Sequence, residues 1–553
     1  MSKSREMKMI KLIGLVLIVL LSVNFSLMAG GKAEKAGKTM TVGFWQEPPV
    51  LVAYWNTMNV LNLLSKMHNP GLWVLNDADA PVPAVAEAIP SGENGGLSAD
   101  GKTITVKIKK NVKWTDNKPF TAKDVVFTWQ QIMNPKNTVA SRDPYDKIVA
   151  IDTRDDYTIV MRLKDPYAGW TNFFVQGFLP EHVLKGKDSL DKDPYLLKPL
   201  GTGPYKLSEY IQGDHVTFDR FDGYYGTKPK IDRIYIKFVP SQDAVIASLQ
   251  AGDVDVAIAL AEPQLPALSK LEPKIHLLTK ALGRFEVYYF NLDPKLGPAW
   301  MQDVNMRKAI ALGIDRQTIV DKLLGGKTTV PNGPWANTPW ENRSLKPWPY
   351  DPVQAKKILD DAGWKPGPDG IRVKTIGGKQ ERLSFTHMTT AGNAMREDTQ
   401  LLIKQNLSGV GVEMVIQNQP TAQMFASYQT GGMIYHGKFQ MYGQFMDYFP
   451  DPDPRDSMNC VGINTEDHPS GNNVNRICDK QLEDLVAKQK VTIDPVERKK
   501  VFDQLQVYLA EKYYFIPIFN RLGVWGVRDG VTGLKPGWYC DIFWNTQDWD
   551  ITK

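Results

Sequence analysis

Segments in which polar and apolar residues alternate recur along the whole chain, and segments with helical periodicity separate them. The alternation is clearest in TITVKIKK (103–110) and IDRIYIKFV (231–239), and it recurs at 158–163 and 215–221. A period of two indicates a strand with one buried face. Because strands and helices are interspersed throughout, the chain is predicted to be an α/β protein. Its 553 residues exceed what one hydrophobic core supports, so two or more domains are expected.

Three predicted helices carry explicit start and stop signals. DPVQAKKILDDAGW (351–364) begins with an aspartate at the N-cap followed by proline, and a glycine near its end stops it. The segment 494–512 repeats the Asp-Pro start, and 241–255 runs from a serine to Gly252. Proline at the first helical position and glycine just past the last turn are the residues that helix ends favour. These helices are predicted to be scaffold.

The first 29 residues have the layout of a secretory signal peptide. A head with four basic residues precedes a short apolar run (12–23), and the LMA at 27–29 fits a cleavage site. The alternative is an uncleaved N-terminal anchor. No cysteine lies near residues 27 to 32, which argues against a lipid-anchored lipoprotein. The mature chain is therefore predicted to be exported, to the periplasm or otherwise outside the cytoplasm.

The charge balance argues against nucleic acid and anionic membrane as partners. The formal charge of the whole chain is +5, and loss of residues 1–29, with their four basic groups and Glu6, leaves +2. A near-neutral protein lacks the electrostatic attraction on which such partners depend. No nucleic-acid partner is predicted.

The usual sequence signatures of catalysis and metal binding are missing or incomplete. LLGGKTTV (323–330) lacks the first glycine of a phosphate loop, no Gly-x-Ser-x-Gly or His-Glu-x-x-His occurs, and the seven histidines are scattered singly. DPDPRD (451–456) spaces carboxylates two apart but has no glycine for the turn of a calcium loop. A pair of acids for glycoside hydrolysis, brought together from distant residues, stays open. The prediction is a binding protein with no catalytic residues, no cofactor and no metal.

One acidic residue stands in an unusual setting. In QMYGQFMDYFPDPDP (440–454), Asp447 is surrounded by methionine, tyrosine and phenylalanine. Burying an unpaired carboxylate costs several kcal/mol, so this acid needs a partner. A cation carried by a ligand would provide a charge-assisted hydrogen bond. The alternatives are a turn capped by Asp447, an internal pair with Arg396 or Arg455, and a metal.

Two of the three cysteines lie close together in sequence. Cys460 and Cys478 are eighteen positions apart in one polar stretch, whereas Cys540 is remote. In an oxidising compartment a Cys460–Cys478 disulfide would contribute roughly 3 kcal/mol in the chain-entropy model. The alternative is three unpaired thiols.

Several segments, spread over nearly the full mature length, resemble the family 5 solute-binding proteins of ABC importers, which bind oligopeptides, dipeptides, nickel chelates and some oligosaccharides. The segments that carry the resemblance are KIKKNVKWTDNKPFTAKDVVFTWQQIMNP (107–135), PLGTGPYKLSEY (199–210), YYFNLD (288–293), DVNMRKAIALGIDRQTIV (303–320), DPVQAKKILDDAGW (351–364) and IPIFN (516–520). The resemblance implies a two-lobed, clam-shell fold of the type II periplasmic binding proteins with an extra inserted domain.

The resemblance also implies a division of the chain into discontinuous parts. The predicted parts are a signal peptide (1–29), lobe I (39–75, 201–285 and 521–553), an inserted domain II (76–200) and lobe III (286–520). Ligand is expected in the cleft between the lobes, where closure buries it. A disulfide between Cys460 and Cys478 fits the position of one in dipeptide-binding relatives.

Peptide-binding relatives hold the ammonium of their ligand with an aspartate in a Met-x-Gly-Trp-x-x-Asp setting. MYGQFMD (441–447) is similar and places Asp447 at the anchor, although Gln444 replaces the tryptophan. The arginine that some dipeptide binders carry just before this strand is absent from NQPTAQMF (418–425). The candidate ligand-binding residues are Asp447, Phe445, Gln444, Tyr442, Trp45, Glu47, Tyr54 and Trp55.

The resemblance implies an exported receptor, not an enzyme, that delivers its ligand to an ABC permease and its ATPase subunits and acts as a monomer. A peptide is the first expectation for the ligand. The chain's many tryptophan, asparagine and glutamine residues also suit an oligosaccharide, which needs stacking faces and neutral bidentate groups. A metal chelate, and a secreted hydrolase of one of these substrates, are the remaining alternatives.

Overall fold

The computed structural model describes residues 37–56, 58–446, 451–537 and 542–552. The predicted signal peptide (1–29), Asp447 and Cys540 lie outside these ranges. Within them, no helix is long and apolar enough to cross a lipid bilayer.

The α-helices alternate with strands along the chain, as the sequence pattern predicts. They span Asn59–His68, Ala122–Met133, Glu181–Leu184, Gln242–Ala251, Leu265–Ser269, Val304–Leu312, Arg316–Leu324, Pro352–Asp361, Ala394–Gly409, Thr421–Met424, Lys480–Val491 and Pro495–Lys512. The three helices predicted from capping signals are confirmed. The Asp351 carboxylate accepts a hydrogen bond from the Gln354 amide (2.8 Å), and Gly252 has the left-handed backbone (φ 91°) that glycine adopts most readily.

The strands are numbered in chain order. They are β1 Thr39–Phe44, β2 Trp73–Leu75, β3 Pro81–Pro83, β4 Thr103–Lys107, β5 Ile148–Asp155, β6 Thr158–Leu163, β7 Tyr205–Ile211, β8 His215–Arg220, β9 Arg233–Phe238, β10 Val256–Leu260, β11 Ile275–Phe290, β12 Lys365–Pro366, β13 Arg372–Ile376, β14 Lys379–Arg382, β15 Ser384–Met388, β16 Glu413–Ile416, β17 Met441–Met446, β18 Phe515–Arg528, β19 Val531–Thr532 and β20 Asp550–Ile551.

One mixed sheet runs through both halves of the protein. Its ten strands lie in the order β16-β15-β17-β11-β18-β10-β1-β9-β8-β7. The antiparallel pair β11 and β18 is the longest in the sheet and joins its two ends. Their register breaks between Ala281 and Phe285, where residues 282–284 lie opposite Arg521 alone, and it shifts again between Glu286 and Val287. Beside this sheet, β4, β6 and β5 form a separate three-stranded sheet.

The buried apolar residues fall into clusters that draw on different parts of the chain. The largest uses residues 285–519, a second uses 52–196, and two smaller ones combine residues 40–278 with residues after 521. The second cluster combines residues 52–73 of the predicted lobe I with the predicted domain II, and the division into lobes stays a prediction.

The signature segment 107–135 builds the second cluster. Trp114 is fully buried there, and the helix Ala122–Met133 begins at a capping box formed by Thr121 and Asp124. The Asp124 carboxylate also accepts a hydrogen bond from the Glu181 amide at 2.9 Å, and burial raises the pKa of Asp124. The motif therefore fixes one helix end and ties it to the start of the distant helix Glu181–Leu184.

The structure joins Cys460 to Cys478 by a disulfide. The bond closes a loop of polar residues whose asparagines hold its backbone. Asn473, for example, donates to the carbonyl oxygens of Asn459 and Ile477, both at 2.6 Å.

Candidate functional site

A large cavity lies where the three predicted parts of the chain meet. Its volume is about 1450 Å³. One wall comes from residues 53–99, a second from 140–176, and a third from lobe III at 339–340, 451 and 493–500. A ligand in this cavity would therefore contact residues of the predicted lobe I, domain II and lobe III.

Buried aromatic side chains with fixed packing line one side of the cavity. The Tyr54 hydroxyl donates to the Gly177 carbonyl (2.8 Å), and the Tyr145 hydroxyl lies 3.4 Å from the Tyr54 hydroxyl. Burial raises the pKa of Tyr145 to about 12, so both rings stay neutral. Trp73 and Trp170 pack edge to face with centroids 5.5 Å apart, and both are almost completely buried. Tyr54, a predicted ligand residue, thus lines the cavity with little of its surface exposed.

Neutral amides supply polar groups to the same walls. Asn59, Asn62, Asn172 and Gln176 line the cavity. The Gln176 amide donates to the Asn62 side-chain oxygen at 3.1 Å, which orients both groups. Such groups can donate to and accept from a polar ligand without adding charge.

A buried ion pair connects lobe III to domain II across the cavity. Arg498 donates to Asp451 (2.5 Å) and to the Ala168 carbonyl (3.1 Å). The second carboxylate oxygen of Asp451 accepts from the Thr171 hydroxyl at 2.8 Å. Arg498 also lies over the Trp340 ring, 4.8 Å from its centroid. Burial raises the pKa of Asp451, and Arg498 opposes that shift. These contacts join residues 451 and 498 to residues 168 and 171.

This pair was not predicted from the sequence. Asp451 belongs to the DPDPRD segment, which suggested at most a weak calcium loop, and Arg498 lies on a helix taken as scaffold. Asp451 lies between two prolines, and Arg498 lies one helical turn after an Asp-Pro helix start. Each residue can be singled out from its own segment, but nothing in the sequence indicates that the two form an ion pair. Among the described residues, no group of three or more His, Cys, Asp or Glu side chains could hold a metal.

The end of β17 carries Phe445, which is 40% exposed. Three guanidinium groups surround its ring: Arg284 at 5.6 Å, Arg521 at 5.9 Å and Arg396 at 6.0 Å from the centroid. Arg396 donates to Glu286 at 2.6 Å. Glu286 is therefore one internal partner of Arg396, and the pairing of Asp447 lies outside the described residues.

The other predicted residues of β17 face inward. Tyr442 is completely buried and stacks on Tyr289 with centroids 4.9 Å apart. The Gln444 amide donates to the Tyr442 hydroxyl at 3.3 Å. The strand β17 lies inside the sheet, and both faces of the sheet are covered. Consecutive residues of β17, which point to opposite faces, are therefore both buried. Gln444 is half-buried and, with Phe445, stays a predicted ligand residue.

Three predicted residues after β1 have internal partners. The Trp45 indole donates to the Ala259 carbonyl and the Trp55 indole to Asp191, both at 2.8 Å. Glu47 accepts from the Tyr210 hydroxyl and the Gly213 amide, both at 2.9 Å. These contacts account for the three side chains within the fold. A ligand role for them stays a prediction, as it does for Asp447.

Gly443 allows β17 to pack closely at this site. A methyl group there would lie 2.8 Å from the Tyr288 ring and 3.2 Å from His387. We expect Gly443→Ala to lower the free energy of unfolding by about 1–3 kcal/mol, because both neighbours are buried and cannot yield. Urea unfolding checks this. Gly409→Ala, at a helix position with open space, is the control and should be neutral. Equal stability of the two variants would contradict the expectation.

A family model for the bacterial extracellular solute-binding proteins, family 5 (middle region), matches residues 80–464. The chain belongs to this family. Family 5 proteins are transport binding proteins rather than enzymes, and the predicted role as the substrate-binding component of an ABC transporter is confirmed. Family 5 proteins act outside the cytoplasm with ABC permease subunits.

Curated relatives of this family 5 protein include XP55 of Streptomyces lividans, which is 30% identical over 390 residues, 69% of this chain and 67% of that protein. The oligopeptide-binding protein AppA of Bacillus subtilis is 28% identical over 399 residues, 70% of each chain.

Solved structures agree in fold. CtaP of Listeria monocytogenes gives a TM-score of 0.78 at 22% identity, covering 94% of this chain and 100% of its own. NikZ of Campylobacter jejuni, solved with Ni(L-His), gives 0.72 at 23% identity, covering 93% and 99%. The predicted type II, two-lobed α/β class is confirmed.

Proposed function

We propose that this protein captures oligopeptides in the cavity between its lobes and delivers them to an ABC permease and its ATPases. The observation that carries the proposal is the cavity of about 1450 Å³, which is walled by buried aromatics and neutral amides. A peptide backbone offers alternating donors and acceptors that such amides can match. The name of the Bacillus subtilis relative, an oligopeptide-binding protein, supports the same ligand class.

The proposal includes the division into lobe I, domain II and lobe III, a cleaved signal peptide and a monomer. Asp447 serves as the anchor for the ligand's amino terminus. It precedes the cavity-lining Asp451 by four residues in the sequence. Trp45, Glu47, Trp55 and Tyr442 stay candidate ligand residues in this proposal.

An oligosaccharide receptor is the weaker alternative. Sugar rings stack on open aromatic faces, whereas Trp73 and Trp170 present almost no exposed surface to the cavity. A secreted hydrolase would consume its ligand, so recovery of an intact peptide after stoichiometric binding separates that possibility from transport.

Replacing the anchor tests the proposal. We expect Asp447→Asn to weaken binding of an unmodified peptide by about 100-fold, because a desolvated ammonium loses its charged partner. Isothermal titration measures the affinity, and thermal unfolding confirms that the variant is folded. Asp529→Asn, at an exposed position, is the matched control. Blocking the peptide's amino terminus by acetylation should weaken wild-type binding but change little in Asp447→Asn. Unchanged affinity in the variant would remove Asp447 from this role.

A further inference from the structure

A second and much smaller cavity lies between the predicted lobe I and domain II. Its volume is about 20 Å³. Residues 51–54, 64–65, 68–69 and 218 form one side, and residues 176, 178, 195 and 199 form the other. Because a water molecule needs roughly 10–15 Å³, the cavity has space for one water molecule and little more.

His68 lines this cavity and carries a nitrogen that can only accept a hydrogen bond. Burial lowers the pKa of the ring to about 4, so it is neutral at pH 7 and has one N–H. Its Nδ1 lies 3.4 Å from the Tyr205 carbonyl oxygen, and the Pro199 carbonyl also lies near the ring. With the proton on Nδ1, the N–H is donated to Tyr205 and Nε2 is an acceptor. Nε2 is buried and has no hydrogen-bond partner among the described residues.

Asn69 brings a second acceptor to the same cavity. Its amide nitrogen donates to the Phe178 carbonyl at 2.8 Å, which fixes the side chain, because a flipped amide would place two oxygens together. Its Oδ1 is buried, again without a hydrogen-bond partner in the part of the chain that the structure describes. His68 Nε2 and Asn69 Oδ1 cannot bond to each other, since both only accept. A small neutral molecule with two donors would satisfy both.

The backbone around His68 is too closely packed for the walls to collapse onto these acceptors. The Gly203 amide donates to the His68 carbonyl at 2.9 Å, and a methyl group at Gly201 would lie 1.9 Å from the same oxygen. Leu51, another lining residue, donates its amide to the Leu196 carbonyl at 2.7 Å. Because these contacts fix the spacing of the two parts, the acceptors depend on a molecule inside the cavity.

We infer that this cavity is a binding site for one buried water molecule, which donates one hydrogen bond to His68 Nε2 and the other to Asn69 Oδ1. Gln176 also lines the cavity, and its amide, which gives one N–H to Asn62, has a second for the water oxygen. About three hydrogen bonds are usual for a buried water. Because Gln176 belongs to the predicted domain II and the two acceptors to lobe I, the water joins the two parts.

A high-resolution crystal structure tests the site directly. The ligand-free mature protein, crystallised at pH 7, should show one water within about 3.2 Å of both His68 Nε2 and Asn69 Oδ1. A crystal pressurised with xenon should bind none of it there, because xenon enters dry, apolar cavities. A site without density, an ion in place of the water, or bound xenon would each overturn the inference.

A change in stability gives a second, independent test. Val52 borders the small cavity but is not among the described residues that line the large one, and Val52→Ile adds a methyl group at the wall. Displacing the water leaves two buried acceptors unsatisfied, so we expect the equilibrium constant for unfolding to rise about tenfold or more at pH 7. Urea titration measures it. Val353→Ile, at an exposed helix position, is the control and should stay within about twofold of wild type.

The sign of this change separates a hydrated cavity from a dry one. A methyl group that fills a dry cavity stabilises the fold, so a Val52→Ile variant at least as stable as wild type would contradict the inference. Both tests use ligand-free protein, and their failure would leave peptide capture as proposed. Conversely, failure of every peptide to bind would overturn the proposed function and leave the water site in place.

Discussion

Replacing Arg498 by methionine is expected to lower the free energy of unfolding by about 3–5 kcal/mol, among the largest effects of any single substitution in this protein. The substitution leaves the Asp451 carboxylate buried without its cation, and among the described residues only Thr171 still donates a side-chain hydrogen bond to it. It also removes the hydrogen bond from Arg498 to the Ala168 carbonyl and the cation–π contact with Trp340. Urea unfolding of the ligand-free protein, followed by tryptophan fluorescence, measures the loss.

Two further variants separate charge from geometry. Arg498→Lys keeps the positive charge but lacks the planar guanidinium group with its several N–H donors. We therefore expect an intermediate loss of unfolding free energy. Combining Arg498→Met with Asp451→Asn removes both charges, so it should recover part of the stability that Arg498→Met loses. If the double variant loses more free energy of unfolding than the two single variants lose together, the ion pair is not the source of the effect.

The same substitution should weaken ligand binding. Arg498 and Asp451 join lobe III to domain II through Ala168 and Thr171, and a ligand gains affinity only if the closed form holds. Thr171→Val is the milder test, because it removes one hydrogen bond and keeps the ion pair. Its expected loss is about 1 kcal/mol or less in unfolding, with a measurable rise in the peptide's dissociation constant.

Acidification from pH 7 to pH 5 is expected to remove about 2 kcal/mol of stability for each of two buried histidines. Burial lowers the pKa of His387 to about 3 and that of His68 to about 4. The unfolded chain binds a proton at each of these residues below about pH 6.5, and the folded protein does not. The stabilisation is therefore complete above pH 6.5 and declines as the pH falls toward 4.

The packing of His387 explains why it stays neutral. Its Nδ1 accepts from the Gln400 amide at 2.7 Å, and its ring lies 4.0 Å from that of Tyr288, centroid to centroid. A second proton would have to go on Nδ1, where it would break the hydrogen bond from Gln400. No solvent is available to the charged ring, which is fully buried.

Comparison of variants at the two pH values checks the assignment. His387→Gln should be less stable than wild type at pH 7 but should lose about 2 kcal/mol less between pH 7 and pH 5. His276→Gln changes an exposed histidine and should follow wild type at both pH values. If His387→Gln loses as much stability on acidification as wild type, the buried ring is not the source of the pH dependence.

The sequence was most informative where local chemistry decides the structure. The Asp-Pro starts at Asp351 and Asp494 and the serine start at Ser241 lead into helices at the expected residues. Each of these caps uses a side chain and a backbone amide two or three positions away, so the interaction is complete within one short segment. The alternating strands at 103–110 and 231–239 are confirmed for the same reason.

The candidate site was less predictable because its contacts join distant segments. Asp451 and Arg498 are 47 positions apart, and Glu47 meets Tyr210 across 163 positions. Tyr442 is a candidate because MYGQFMD resembles the ligand-binding segment of relatives, and its burial reflects a strand in the middle of a covered sheet, where both faces are buried. Burial depends on which strand becomes central, and no single segment contains that information.

The broken register opposite Arg521 has a mechanical consequence. A ladder of regular hydrogen bonds resists bending, and β11 and β18 lose that regularity within a short stretch, between Ala281 and Val287, where residues 282–284 face a single partner. We expect the lobes to open by rotating about this point, with the sheet on either side moving as a rigid body. The hinge region also contains charged groups, because Arg521 contacts both Glu262 and Glu286. The resting angle of the empty receptor should therefore respond to ionic strength before any ligand arrives.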